Sequence, residues 1–173
     1  MRATLLKLLL VVALLPTLAY AGTPGEVMPG QPLRAAVLHS LTGKDKQFSD
    51  YRGKPLIINV WASWCGPCRA EMGSLNRLAQ RYKRQFTVIG ISTDDDALAA
   101  KHFIKQYKVG FENYIDSNVF LENMLGADTI PLTILVDAEG RVLEKARGAY
   151  EWDSPETIDA IGQVFKLKLK HKR

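Results

Sequence analysis

The stretch that most constrains this chain is Trp61-Ala-Ser-Trp-Cys-Gly-Pro-Cys68, because it holds both cysteines of the 173-residue sequence. Two thiols separated by two residues close a small disulfide ring when the backbone turns into a helix between them, as Gly66 and Pro67 suggest. The run before the motif, Pro55 to Trp61, is apolar and β-branched and reads as a buried strand. The run after it, Arg69 to Arg84, carries Met72, Leu75, Leu78, Ala79 and Tyr82 at helical spacing. Cys65 therefore falls at a strand-to-helix corner, where unpaired backbone N–H groups and the helix dipole place about half a positive charge. A thiolate is favoured there, and thiols in such motifs ionise more readily than a free cysteine. Pro67 suits a first helical turn, where its missing N–H costs nothing. Cys65 is thus the attacking thiol, and Cys68, one turn further in, is the resolving thiol.

Other readings of the pair explain less. A structural disulfide this small removes little unfolded-state entropy. A zinc site needs about four ligands, and His39, His102 and His171, the remaining histidines, are not paired at ligand spacing. Spectator cysteines leave the glycine, the proline and both flanking tryptophans without a reason.

Trp64-Cys65-Gly66-Pro67-Cys68 resembles the thioredoxin active-site motif. From about Leu33 to Phe165 the chain is similar to the secreted branch of that superfamily, which includes the reductases of cytochrome c maturation. The resemblance implies an α/β thioredoxin fold: a central mixed sheet flanked by helices, with an N-terminal β extension and a central insertion. It also implies thiol–disulfide exchange with no cofactor beyond the Cys65–Cys68 disulfide and no metal.

Met1 to Ala21 has Arg2 and Lys7 around an early apolar run and closes on Ala19-Tyr20-Ala21, the pattern of a secretory signal cleaved after Ala21. Lys7 and Pro16 break the run short of the roughly 20 residues a spanning helix needs, although an uncleaved anchor stays as the alternative. Export places the domain in an oxidising compartment, taken here as the periplasm. Residues 22–32, rich in proline and glycine, read as a flexible or extended linker, and residues 33–173 as one thioredoxin-like domain. The formal charge of +5 leans on Lys166, Lys168, Lys170, Lys172 and Arg173 at the end of the chain. The rest is near neutral, which argues against a nucleic-acid partner, and the tail reads as a solvated helix end with attraction to anionic lipid as a lesser reading.

Along the domain, Leu33 to Leu38 is expected as a first strand, Phe86 to Ser92 as a strand parallel to the one before the motif, and Asp94-Asp95-Asp96 as the cap of a helix from Ala97 to about Tyr107. Phe111 to Ile115 reads as a strand and Val119 to Leu125 as a short helix. Ile130-Pro131 should open the next strand, because proline cannot donate to a sheet ladder. The resemblance adds that Pro131 is the cis proline packed against the cysteines, with the Ile130 backbone free to pair with an extended substrate segment. Arg141 to Ala149 is the edge strand, and Ser154 or Asp153 caps a final helix with Pro155 in its first turn.

Thioredoxins carry a buried aspartate six residues before the first cysteine, paired with a lysine on the next strand. Here those positions are Asn59 and Gly90, so that proton route is absent. Glu71, three residues after Cys68, offers a replacement on the same helix face and matches a glutamate of the secreted reductases; the alternative is a solvated glutamate. Trp64 reads as a flat contact shielding the sulfurs, Gly66 and Pro67 as part of the substrate-facing motif, Arg69 as a surface cation and Trp61 as core.

The function expected is reduction of disulfides in exported partner proteins, with an inner-membrane thiol carrier as electron donor and a monomer as the working unit. Gly66-Pro67 is the dipeptide of thioredoxin, whose potential is about −270 mV against about −120 mV for a strong oxidant. An oxidase or isomerase with the same residues is the first alternative, and a Cu(I)-binding metallochaperone the second.

Overall fold

The computed structural model of the chain describes residues 23–170; the expected signal over Met1 to Ala21 and the end of the tail from His171 lie outside the described residues. In chain order the elements are β1 (Val37–Ser40), β2 (Lys46–Gln47), β3 (Leu56–Trp61), α1 (Gly66–Arg81), β4 (Thr87–Ser92) and α2 (Ala97–Gln106). They continue with β5 (Glu112–Ile115), α3 (Phe120–Leu125), β6 (Leu132–Val136), β7 (Val142–Arg147) and α4 (Pro155–Phe165). The strands form one seven-stranded mixed sheet in the order β2-β1-β5-β4-β3-β6-β7. β3, β4 and β5 run parallel and the remaining pairings are antiparallel.

All six residues of β3 are buried, and their alternation divides the core. Leu56, Ile58 and Val60 join a cluster with Val27, Phe48, Leu121, Met124 and Leu125. Ile57 packs on the opposite face among Leu75, Leu78, Tyr82, Phe86 and the α4 residues Ile158, Ile161 and Phe165. Trp61 lies on that second face with both cysteines, Met72 and Phe103, stacked on the Phe103 ring at 4.5 Å between centroids. Helices α1, α2 and α4 therefore cover one face and α3 the other. Asn59, at the same parity as Ile57 and Trp61, faces α1.

Two expectations change. The first strand begins at Val37 rather than Leu33, because residues 30–33 run beside residues 140–142 instead, with Leu33 N–H bonded to the Gly140 carbonyl at 2.8 Å. Residues 23–32 form two turns, closed by Glu26 N–H to the Thr23 carbonyl at 2.8 Å and Gln31 N–H to the Met28 carbonyl at 3.0 Å, and they are fastened to the domain. Val27 is buried and donates its N–H to Met124 at 2.9 Å, and Glu26 forms a buried ion pair with Lys145 at 2.5 Å. As expected from Gly66 and Pro67, α1 starts inside the cysteine motif, with the proline in its first turn.

Candidate active site

The loop from β3 to α1 is held from below. Asp94, 3% exposed, accepts the Ser63 N–H at 2.9 Å and hydrogen bonds at 2.7 Å from the hydroxyls of both Ser63 and Ser92. Of the Asp94–Asp96 run, only Asp96 caps α2, through the Leu98 N–H at 2.8 Å. Asp94 is instead turned inward as the clamp of the turn that leads to Cys65.

Cys65 is the N-cap of α1, and its sulfur accepts the Cys68 N–H at 3.2 Å. The two sulfurs are joined at 2.02 Å with Cα atoms 5.3 Å apart. Cys68 has no exposed surface, whereas Cys65 keeps 4% and neighbours Trp64, which is 68% exposed. Gly66 and Pro67 are exposed beside it. The Ile130–Pro131 bond is cis, and the Ile130 carbonyl oxygen lies 3.9 Å from Cys65 Sγ. The structure thus brings Trp64, Cys65, Gly66, Pro67, Cys68, Ile130 and Pro131 to one edge, at the C-terminal ends of the parallel strands.

Glu71 is buried, 1% exposed, which removes the solvated alternative. Its carboxylate accepts hydrogen bonds from Asn59 Nδ2 at 2.8 Å, Trp152 Nε1 at 2.8 Å and the Tyr150 N–H at 3.2 Å. Burial pushes its pKa above the ordinary carboxylate range, and the three donors only partly oppose the shift. Asn59 also donates to Thr133 Oγ1 at 3.0 Å, while its own Oδ1 is buried without a partner among the described residues. Trp152 and Tyr150 come from the loop before α4, some eighty residues from Glu71 in sequence, and no local pattern announces them.

β3 pairs Asn59 with Gly90 in register. A Cβ at residue 90 would lie 2.0 Å from Asn113 Oδ1, the atom that accepts the Trp61 Nε1–H at 3.0 Å. The space a lysine would need is taken by that Trp61–Asn113 pair. The buried acid has moved from the strand to helix α1, and its partners are neutral donors in place of a cation.

A mixed sheet, a cysteine-capped helix and a facing cis proline define a thioredoxin-fold protein. The chain belongs to the Redoxin family, whose model matches residues 28–161. Among its relatives, a thiol-disulfide oxidoreductase ResA of Geobacillus thermodenitrificans is 32% identical over 139 residues, covering 78% of this chain and 80% of that protein. ResA of Bacillus thuringiensis is 33% identical over 113 residues, and the match spans 65% of the length of each chain. A crystal structure from Chlorobium tepidum, described as a candidate thiol:disulfide interchange protein DsbE, superposes with a TM-score of 0.70 at 27% identity, over 80% of this chain and 96% of the other.

Proposed function

We propose that this protein is a periplasmic thiol–disulfide oxidoreductase that reduces disulfides in exported partner proteins. The observation that carries the reading is Cys65 Sγ at the N-cap of α1, receiving the Cys68 N–H where the helix dipole favours negative charge. The ResA relatives are named thiol-disulfide oxidoreductases, which supports the exchange chemistry.

In the reduced protein, the Cys65 thiolate attacks one sulfur of the substrate disulfide. One substrate thiolate leaves and a mixed disulfide forms. Cys68, giving up its proton, then attacks Cys65 Sγ; the second substrate thiolate leaves and the Cys65–Cys68 bond closes. The oxidised product is the state of this structure, and a membrane-held dithiol returns the two electrons.

Glu71, one helical turn from Cys68, takes the proton that Cys68 must lose. Burial raises its affinity for that proton above that of an ordinary carboxylate. The cis-proline loop, with the Ile130 carbonyl facing Cys65, offers backbone to an extended substrate segment while Pro131 presents no N–H to the sulfurs. Trp64 supplies a flat apolar contact beside the attacking sulfur.

The Cys68→Ala variant should accumulate covalent complexes through Cys65, which mass spectrometry of the exported fraction identifies. Absence of any trapped partner contradicts the exchange mechanism. Equilibration with glutathione separates the reductase, with a potential near that of thioredoxin at about −270 mV, from an oxidase near about −120 mV.

A further inference from the structure

Exposed cations gather at the far end of α1. Its start, beside the disulfide, carries the single exposed cation Arg69 and no acidic residue in the first turn. Its far end runs into Arg81, Lys83 and Arg84, all exposed, with Lys54 beside them donating to the Lys83 carbonyl at 3.0 Å.

The chain after α4 comes to the same end. Lys166 takes a left-handed turn at φ 55°, and residues 167–170 fold back in an alternating pattern. Leu167 and Leu169 pack on the cluster that holds Tyr82 and Phe86, while Lys166, Lys168 and Lys170 stay exposed. Two contacts fix this path: the Leu167 N–H bonds to the Gly162 carbonyl at 2.8 Å, and the Tyr82 hydroxyl to the Lys170 carbonyl at 2.9 Å. A Cβ on Gly162 would sit 2.9 Å from the Leu167 oxygen, so the helix is bare where the tail crosses it.

None of Arg81, Lys83, Arg84, Lys166, Lys168 or Lys170 forms an ion pair among the described residues. Of the acids near this edge, Glu112 pairs with Lys46 at 2.6 Å and Asp137 accepts the N–H groups of Glu139 and Arg141, while Glu139 is exposed. Asp159 lines the same groove as Lys166 and Lys168.

We propose that this basic edge, Arg81, Lys83 and Arg84 together with Lys166, Lys168 and Lys170, docks on an anionic phospholipid surface and holds the disulfide edge turned away from it. The cations sit on separate elements and are spread, exposed, over a broad face, which suits a plane of repeated phosphate groups better than one small ligand. Helix α1 has 16 residues, about 24 Å at 1.5 Å per residue, and sets the height at which Cys65 stands above the headgroups. The proposal extends the redox reading by orienting the site. Its measurement needs no disulfide chemistry, so the two can fail separately.

The test is co-sedimentation of the exported protein with phosphatidylcholine vesicles with and without phosphatidylglycerol. Binding should require the anionic lipid and disappear between about 0.1 M and about 1 M salt. Lys166→Gln, Lys168→Gln and Lys170→Gln combined should weaken partitioning about a hundredfold, at about fivefold per charge, with insulin reduction in solution unchanged. Trp64 fluorescence on bound vesicles should stay open to an aqueous quencher and closed to a lipid-chain quencher. Binding indifferent to lipid charge, salt or the three substitutions overturns the proposal, as does tighter binding to a nucleic acid than to vesicles. Quenching of Trp64 from the lipid side overturns the orientation.

Discussion

Helix α1 is capped by Cys65, whose sulfur lies 3.2 Å from the Cys68 amide; α4 is capped by Ser154, whose hydroxyl oxygen lies 3.2 Å from the Thr157 amide. Both helices carry a proline in the first turn, Pro67 and Pro155. The two caps satisfy the same kind of orphan backbone donor. What separates them is the atom that does it. A serine hydroxyl stays neutral and only stabilises its helix, while a reduced thiol at such an amide cap is favoured as the thiolate, which is the property the proposed mechanism draws on. The surroundings differ to match: Cys65 faces the Ile130 carbonyl and neighbours an exposed tryptophan, whereas Ser154 bonds its own Thr157 hydroxyl at 3.1 Å.

The comparison breaks most completely if α1 is given the cap of α4. Cys65→Ser should reduce insulin turnover to the uncatalysed rate, while denaturant melts of the variant and of reduced wild type coincide, since serine caps as well. Residual turnover would place the nucleophile elsewhere.

Next in size is Glu71→Gln, which leaves the cap intact and removes the proton acceptor behind it. Release of the mixed disulfide in a single turnover should slow about a hundredfold, the lower range of general-base contributions. The same variant tests burial through stability. Because the folded-state pKa of Glu71 is raised, the folded protein holds a proton that the unfolded chain releases. Its contribution is complete below the ordinary carboxylate range and is lost as pH rises through the folded value. Wild type should therefore lose more stability than Glu71→Gln as pH rises above the ordinary carboxylate range, as measured by urea midpoints. Parallel curves would mean that burial does not hold the proton.

The smallest effect belongs to the other cap. Ser154→Ala should cost about 1 kcal/mol in denaturant melts and leave thiol exchange unchanged. A loss of activity matching that of a site variant would show that α4 does more than support Trp152.

The cysteine motif, the strands on either side of α1 and the proline before β6 were legible in the sequence, because each rests on a local rule: apolar runs, a first-turn proline, a missing N–H. The surroundings of Glu71 were not. Its spacing from Cys68 gave the helix face, but its burial depends on Trp152 and Tyr150, which reach it only once α4 packs on α1. Asp94 was hidden differently, in a run of three aspartates whose common reading is a helix cap; only the position of Ser63 beside β4 turns the first of them inward. Residues 23–32 looked like a spacer because proline and glycine dominate them, and Val27, the apolar residue that seats the strap, is a weak signal in such company. Gly90 could be read as a missing lysine, but not that Trp61 and Asn113 occupy its space.

The central claim is that the start of α1 keeps a sulfur anionic, and titration of the Cys65 thiolate in the reduced protein, followed by its ultraviolet absorbance, tests it most directly. The account predicts ionisation at least one unit below the roughly 8.5 of a free cysteine, and loss of that low transition in Cys65→Ser. A Cys65 that ionises at or above the free-cysteine value would contradict it.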